Sequence, residues 1–475
     1  MKNRRLNPAV PPIERSGSIP RRCRDFVAFG PTVQSAWKNR APEEQPLAAE
    51  RSPEPQIVEI ERPVYGGAFL ARIEGKATFV PLVLPGERAR VRIVEEKRGY
   101  STAELEEIVA FERQRAAPAC GHFGACGGCQ YQHAQYAAQL EIKEAILRET
   151  LGRAGVHAPK TMTVLAGEPW GYRNRIRVAF DAEGNVGYRG RRSHRIGAIA
   201  ECPIAAPLLA QAALHAGEIA RNLPVRARPS ELSLFCNAAQ TELLASANVA
   251  SDWALRDDDF SRMLAQRVPE TKGAELAATD PKGSASRRIA MWGAESLFYR
   301  AAGFDYRVDQ GAFFQVNRWL LNDLVDRVAA GRSGGLAWDL FAGVGLFARR
   351  LASEFARVVA VESAPAAIEA LKENLHGTAG TAVKSKVLDF LRAARRKERP
   401  DLIVVDPPRT GLGAEITARL GEISAQELVY VSCDPATLAR DLRALLSAGY
   451  AIDDIALADL FPQTFHLESV VRLRR

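Results

Sequence analysis

Alternation with a period of two runs through the chain from residue 56 to about 113. Ala89, Val91 and Ile93 point one way and Arg88, Arg90 and Arg92 the other, as in strands with one buried face. Gly66-Gly67 and Pro85-Gly86 supply turns. The pattern predicts a small β-barrel over 53–115. After Cys129 the period lengthens. Tyr136, Leu140, Leu147 and Leu151 recur at helical spacing and should face a core. Between 172 and 196 two short runs flank Gly184-Asn185, which predicts a β-hairpin. The stretch 252–288 is polar, with Asp257-Asp258-Asp259 followed by Gly, Ser and Lys, and reads as a surface insertion. A helix is expected over 317–330, with Trp319, Leu320, Leu324 and Val328 inward and Gly331 ending it.

The last 140 or so residues alternate strand with helix, which predicts a doubly wound, mostly parallel sheet. Strands are expected at 337–341, 357–361, 384–387, 402–405 and 428–431. Two more, at 452–458 and 467–473, lack a long helix between them and should pair antiparallel at one edge. Residues 1–52 are rich in Pro, Arg and small residues without periodicity and read as a disordered basic arm. The chain is therefore expected to be multidomain. A basic arm (1–52) leads to the barrel (53–115, OB-like), then to a central α+β domain (116–310) and a C-terminal Rossmann-like α/β domain (311–475).

Composition changes this picture little. At 475 residues the chain is too long for one core, and 47% hydrophobic with 25% charged residues is ordinary globular material. No apolar run approaches the roughly 20 residues that span a bilayer, and the N-terminus lacks a signal-peptide core, so a cytoplasmic protein without membrane contact is expected. Net charge +8 suits a polyanionic partner without requiring one. The hairpin carries Arg173, Arg175, Arg177, Arg189, Arg191, Arg192 and Arg195, interleaved with Tyr172 and Tyr188. Arginine with aromatic side chains suits phosphate contact and base stacking on RNA. The arginine face of the barrel and Lys97-Arg98-Gly99-Tyr100 offer a second place for an RNA backbone.

Seven cysteines, an odd number in a reducing compartment, argue against a disulfide framework. Cys120, Cys126 and Cys129 lie in the glycine-rich knuckle Cys120-Gly121-His122-Phe123-Gly124-Ala125-Cys126-Gly127-Gly128-Cys129, and Cys202-Pro203 supplies a fourth thiol. Four thiolates suit an iron–sulfur cluster or structural zinc, and spacing leaves both open. His122 is expected at the surface rather than as a ligand; Cys23 and Cys236 have no partner motif.

In the C-terminal domain Asp339-Leu340-Phe341-Ala342-Gly343-Val344-Gly345 follows an apolar strand and opens a helix, as a nucleotide-binding turn does. Glu362, ending the next strand, is placed to accept from ribose hydroxyls, and Asp389 to reach an adenine amino group. Asp406-Pro407-Pro408-Arg409 leaves the fourth strand at the crevice where ligands bind in such folds. Downstream come Val431-Ser432-Cys433-Asp434-Pro435 and His466-Leu467-Glu468-Ser469. A thiol nucleophile, a carboxylate base and a donor pocket together point to methylation of a pyrimidine carbon, which is too poor a nucleophile until a thiolate adds to the ring.

With these motifs, and with Phe313-Phe314-Gln315-Val316-Asn317 and Phe461-Pro462, residues 53–475 resemble the RNA 5-methyluridine methyltransferase family. The resemblance is nearest to the 23S rRNA-modifying members that carry an iron–sulfur cluster and an N-terminal TRAM barrel. It implies Cys433 as nucleophile and Glu468 as base. It also implies S-adenosylmethionine against Gln315, Phe341, Glu362 and Asp406, and a [4Fe–4S] cluster on Cys120, Cys126, Cys129 and Cys202, with structural zinc as the alternative. RNA is the implied partner, rRNA before tRNA, and a monomer is expected. The family often has Ser-Cys-Asn-Pro where this chain has Asp434; that carboxylate should point away from the thiol or cap the helix that Pro435 starts. An amino-group methyltransferase and a non-catalytic ribosome-assembly protein are the rival readings.

Overall fold

Five strands close on themselves at the start of the structure, a computed structural model that describes residues 54–250, 253, 259–279, 286–394 and 398–475. They are β1 (Gln56–Val64), β2 (Ala68–Ile73), β3 (Lys76–Pro81), β4 (Arg88–Glu96) and β5 (Ser101–Ala110), in barrel order β1-β2-β3-β5-β4. The expected basic arm lies outside the described residues. The alternation in β4 is realised, with Ala89 and Val91 buried and Arg88 exposed. Its outer face is not a free cationic surface, however. Arg90 pairs with Glu107 at 2.6 Å, Arg92 with Glu106, and Lys97 with Glu95 at 3.0 Å. Exposed pairs of this kind add little stability, but they cancel the charge that the arginines alone implied. Glu87 is buried beneath the barrel and tolerated because Arg115 Nε (2.6 Å) and the Leu84 amide (2.7 Å) donate to its carboxylate.

The helix α1 (Tyr136–Arg153) follows, then β6 (Thr163–Leu165) and the expected hairpin of β7 (Arg175–Phe180) and β8 (Val186–Arg189). Next come β9 (Ile196–Ala198), α2 (Pro207–Arg221), β10 (Glu231–Cys236), β11 (Leu243–Val249), α3 (Asp259–Arg267), β12 (Thr271–Thr279) and β13 (Ser286–Gly293). The strands form one sheet of order β13-β12-β11-β10-β7-β8-β9. The surface insertion expected over 252–288 is thereby corrected in its described part. β12 is hydrogen-bonded on both sides, to β11 and β13, and α3 buries Phe260 and Leu264. The signal was weak because most buried β12 positions are small: Ala274, Ala277 and Ala278 beside Leu276.

The hairpin β14 (Ser296–Ala301) and β15 (Phe304–Asp309) leads to α4 (Leu321–Ala329), shorter than expected. Leu320, Leu324 and Val328 are buried, but Trp319 precedes the helix and is 43% exposed, with the Arg318 guanidinium 3.8 Å above its ring. The remainder alternates: β16 (Gly334–Leu340), α5 (Leu346–Leu351), β17 (Phe355–Glu362), α6 (Pro365–Leu375), β18 (Gly380–Lys384), α7 (Val387–Ala393), β19 (Leu402–Val405), α8 (Gly413–Ile423), β20 (Glu427–Ser432), α9 (Pro435–Ser447), β21 (Ala451–Ala458) and β22 (Glu468–Arg474). The strand expected at 384–387 lies earlier, and Val387 already starts a helix. The sheet order is β18-β17-β16-β19-β20-β22-β21-β6. β18 to β20 are parallel, β22 is antiparallel to both neighbours, and β6 adds a short parallel strand outside β21, so β21 is not the edge. One apolar core joins the barrel (Phe69, Val80), α1 (Ile146, Leu147) and one face of this sheet (Leu428, Tyr430). No helix among the described residues is long and apolar enough to cross a membrane.

Candidate active site

Register brings the thiol and the carboxylate together. β20 and β22 run antiparallel with Ser432 opposite Ser469. Cys433 and Glu468 are the next residues beyond that last pair, at the carboxyl end of the parallel strands, near enough that the Glu468 charge acts on the thiol. The Ser469 hydroxyl donates to the Ser432 carbonyl at 3.4 Å, holding the strands at that point. Cys433 is half-buried, and Glu468 is only 3% exposed. Asp434 turns away from the thiol, as expected. Its Oδ1 accepts from the Ala436 and Thr437 amides at 3.0 and 2.9 Å and caps α9, with Pro435 in the first turn.

The other side of the crevice is set by β16 and β19, whose ends pair Leu340 with Val405. Asp406 follows directly, its amide reaching the Leu340 carbonyl, and the Gln315 side-chain amide donates to its Oδ2 at 3.4 Å. Phe341 begins the glycine loop at φ +67°, a left-handed conformation that costs a non-glycine residue free energy and marks a constrained turn. Gly345 (φ +92°) packs so closely that a Cβ there would lie 2.7 Å from Leu371 Cδ1. Glu362 is held by three backbone donors, the amides of Gly343 (2.9 Å), Ser363 (2.6 Å) and Ala364 (2.6 Å), so it ties the loop to the end of β17. Asp339 is wholly buried below the loop. One oxygen accepts from the Ala348 amide at 2.8 Å and the other has no protein partner. Gln315, Phe341, Glu362 and Asp406 thus gather at one crevice. Asp389 sits in the first turn of α7 rather than at a strand end, its side chain 60% exposed and 3.6 Å from Arg392.

This site is poor in cations. Burial pushes the Cys433 thiol up to about 12, and Glu468 and Asp406 push the same way, while Arg409 opposes them. Burial, then Asp406, holds the Glu468 carboxyl well above its ordinary range. Asp406 itself is pushed to about 7 by burial, against the Gln315 hydrogen bond. Asp339 is also raised to about 7, chiefly by burial. At neutral pH Cys433 is therefore a thiol rather than a thiolate.

Several residues in the site were given no catalytic or donor role by the sequence. Arg409 bonds His466 Nδ1 at 3.2 Å, and burial, with Arg409, keeps that imidazole down to about 4 and hence neutral. The loop leading into β22 is anchored from elsewhere in the chain. Gln130 and Tyr131, directly after the knuckle, donate their amides to the Gln463 carbonyl at 2.9 Å each, and the Tyr172 hydroxyl donates to Pro462 O at 3.0 Å. Lys143 of α1 forms a fully buried ion pair with Asp459 at 2.5 Å and also donates to Phe461 O. Breaking such a pair from one side strands a buried charge, typically at about 3–5 kcal/mol. Tyr65, in the turn after β1, donates to the Cys433 carbonyl at 3.2 Å.

The four knuckle-associated thiols, Cys120, Cys126, Cys129 and Cys202, line one cavity of about 330 Å³. Two contacts bring the Cys202 segment in. The Gly121 amide donates to Glu201 Oε1 at 3.0 Å, and the Ala200 amide donates to His122 Nε2 at 3.1 Å. Among the described residues no three His, Cys, Asp or Glu side chains converge on one metal-ion position. The thiols surround a space rather than a point. A second cleft of about 520 Å³ runs between Gly66 and Gly67 of the barrel and Arg177, Arg189, Arg191 and Arg192 of the hairpin. Of the aromatic partners expected there, Tyr172 is fully buried, while Tyr188 lines the cleft although its hydroxyl bonds Cys202 Sγ at 3.6 Å.

Known proteins share this arrangement. Residues 292–475 match the family described as tRNA (Uracil-5-)-methyltransferase, and residues 54–105 match the TRAM domain. The 23S rRNA (uracil(1939)-C(5))-methyltransferase RlmD of Klebsiella pneumoniae is 34% identical over 435 residues, 86% of this chain and 93% of the relative. The RlmD of Halomonas elongata is 33% identical over 460 residues, 90% of this chain and 92% of the relative. Among solved structures, the tRNA (uracil-54, C5)-methyltransferase of Pyrococcus abyssi, in complex with S-adenosyl-L-homocysteine, superposes with a TM-score of 0.70 at 25% identity. It covers 88% of this chain and 100% of its own.

Proposed function

Because the chain belongs to the family of S-adenosylmethionine-dependent RNA uracil-5-methyltransferases, we propose that it methylates carbon 5 of a uridine in 23S rRNA, with Cys433 as nucleophile and Glu468 as base. The approach of Cys433 and Glu468 just past the β20–β22 ladder, with the Asp406 charge acting on both, carries this reading. The greater identity to the rRNA enzymes supports rRNA. The archaeal tRNA enzyme covers most of this chain too, so architecture does not choose between the two RNAs. Mapping 5-methyluridine in rRNA and tRNA from cells lacking the protein tests the choice. Loss at a 23S position is expected; loss only in tRNA would move the assignment, and an unchanged pattern in both would end it.

The chemistry follows from the residues. The uridine must leave its stack to expose carbon 6, at a cost of a few kcal/mol. The Cys433 thiol gives its proton to solvent, its sulfur bonds to carbon 6, and the ring's electron pair moves toward carbon 5 and the 4-oxygen. Carbon 5 takes the methyl group of S-adenosylmethionine. Glu468 removes the hydrogen left on carbon 5, the double bond re-forms, and the carbon–sulfur bond breaks, returning the thiolate. Gln315, Phe341, Glu362 and Asp406 are assigned to the donor, and Asp389, exposed at the start of α7, to its adenine amino group. The cleft lined by Arg177, Arg191 and Arg192 is assigned to the RNA backbone.

Donor binding should be pH-dependent. The donor's sulfonium is a cation entering beside Asp406, whose carboxyl sits near 7 through burial. A cation favours the ionised carboxylate. Affinity is therefore low while Asp406 is protonated and rises as pH climbs through about 7, with protons released on binding near that pH. Calorimetry across this range, with Asp406→Asn flattening the curve, is the measurement. A flat profile for the unaltered protein contradicts it.

The thiols of Cys120, Cys126, Cys129 and Cys202 are assigned to a [4Fe–4S] cluster in a structural role. Four cysteines around a cavity of about 330 Å³ support this fit, and a bound cluster would tie the knuckle to the Cys202 segment. Iron and acid-labile sulfide in the protein purified without oxygen are expected; one zinc per chain would replace this reading with structural zinc.

A further inference from the structure

Tyr65 belongs to the barrel, yet it touches the strand end that carries the thiol. It occupies the turn between β1 and β2 and is half-buried. Its hydroxyl donates to the Cys433 carbonyl at 3.2 Å, and its ring meets Phe465 edge-on with centroids 5.6 Å apart. The turn has little freedom to withdraw. Gly67 (φ +88°) packs so tightly that a Cβ there would lie 2.7 Å from the Gln130 side chain, and Gln130 Oε1 in turn accepts from the Phe465 amide at 3.3 Å. Cys433 stands just beyond the last ladder pair of β20, so its carbonyl lacks the sheet partner that the preceding residues have. The Tyr65 hydroxyl supplies that partner.

We propose that Tyr65 is a positioning residue for the nucleophile: the barrel fixes the Cys433 peptide, and with it the direction from which the sulfur approaches carbon 6. The proposal rests on the assignment of Cys433 as nucleophile. Burial, with Asp434 next, holds the Tyr65 hydroxyl protonated far above neutral pH, so it remains a donor throughout the working range. Addition to a ring carbon tolerates little misalignment, and small displacements of reacting groups reduce rates steeply. The barrel thus contributes to the chemical step itself, independently of any RNA contact it makes.

Tyr65→Phe keeps the ring against Phe465 and deletes only the donor. Single-turnover methylation and the rate of covalent trapping on 5-fluorouridine RNA should both fall about tenfold, as expected for loss of one well-placed hydrogen bond acting on the transition state. The dissociation constants for donor and RNA, and the melting temperature, should stay close to those of the parent. Tyr65→Leu, which also removes the ring contact, should fall further. Parent-like rates in Tyr65→Phe overturn the proposal. So does a defect confined to RNA affinity, or a rate loss that merely follows the unfolded fraction. The parent protein is run alongside. If it forms no adduct either, the Cys433 assignment itself fails, an outcome distinct from failure of the Tyr65 role.

Discussion

Cys433→Ala is expected to abolish methyl transfer, by on the order of 10⁴-fold or more, while leaving the fold and donor binding intact. Carbon 5 of uracil becomes a competent nucleophile only while sulfur occupies carbon 6, and no neighbouring residue offers a substitute. Asp406 and Glu468 are carboxylates, and Arg409 is a cation. The structural cost is small, because the residue is half-buried and caps nothing; the α9 cap belongs to Asp434. Two competing effects therefore separate cleanly. Activity should vanish, while the melting temperature moves little and donor affinity stays within about twofold, since the donor side of the crevice is untouched. The same variant should form no adduct with 5-fluorouridine RNA. Retention of even a tenth of parental activity would rule out covalent catalysis and favour an amino-group methyltransferase.

Glu468→Gln should leave the first half of the reaction working and block the second. The carboxyl is buried, and burial pushes it above its ordinary range, so a neutral amide of the same shape is well tolerated there. Sulfur addition and methyl transfer do not need Glu468 as a base. Removal of the hydrogen on carbon 5 does, and until it leaves, the carbon–sulfur bond cannot break. Turnover should drop by roughly 10²- to 10⁴-fold, the usual contribution of a positioned base. Methylated RNA should accumulate covalently attached to the protein, now on ordinary uridine. Denaturing gels and mass spectrometry would show a band containing one added methyl group. Wild-type turnover, or slow turnover without any adduct, would remove Glu468 from the role of base.

Much of the fold was legible because local pattern reports local burial. The alternation of Ala89 and Val91 with Arg88 gave a strand with one buried face, and that strand lies in the barrel. The Asp434-Pro435 pair announced a capped helix, and α9 begins there. Failures came where the signal was weak or depended on a distant partner. The strand β12 was missed because alanines fill its buried face. The barrel arginines read as a cationic face because the glutamates that neutralise them lie on the next strand. Asp389 looked like a strand-end carboxylate because the boundary between β18 and α7 was placed a few residues late.

By itself the sequence determined the layered α/β domain, the barrel before it, and the residue types of the site: a thiol, a carboxylate and a donor loop at strand ends. Spacing along the chain dictates these, since a period of 2.0 or 3.6 sorts side chains to one face without reference to anything remote. Only the tertiary structure decided that Cys433 and Glu468 meet just past the end of the β20–β22 ladder, that burial pushes both groups up, and that Tyr65 and Lys143 brace the crevice from other parts of the chain. Strand register, desolvation and packing between remote segments depend on which surfaces meet, and nothing in a local stretch of sequence encodes that.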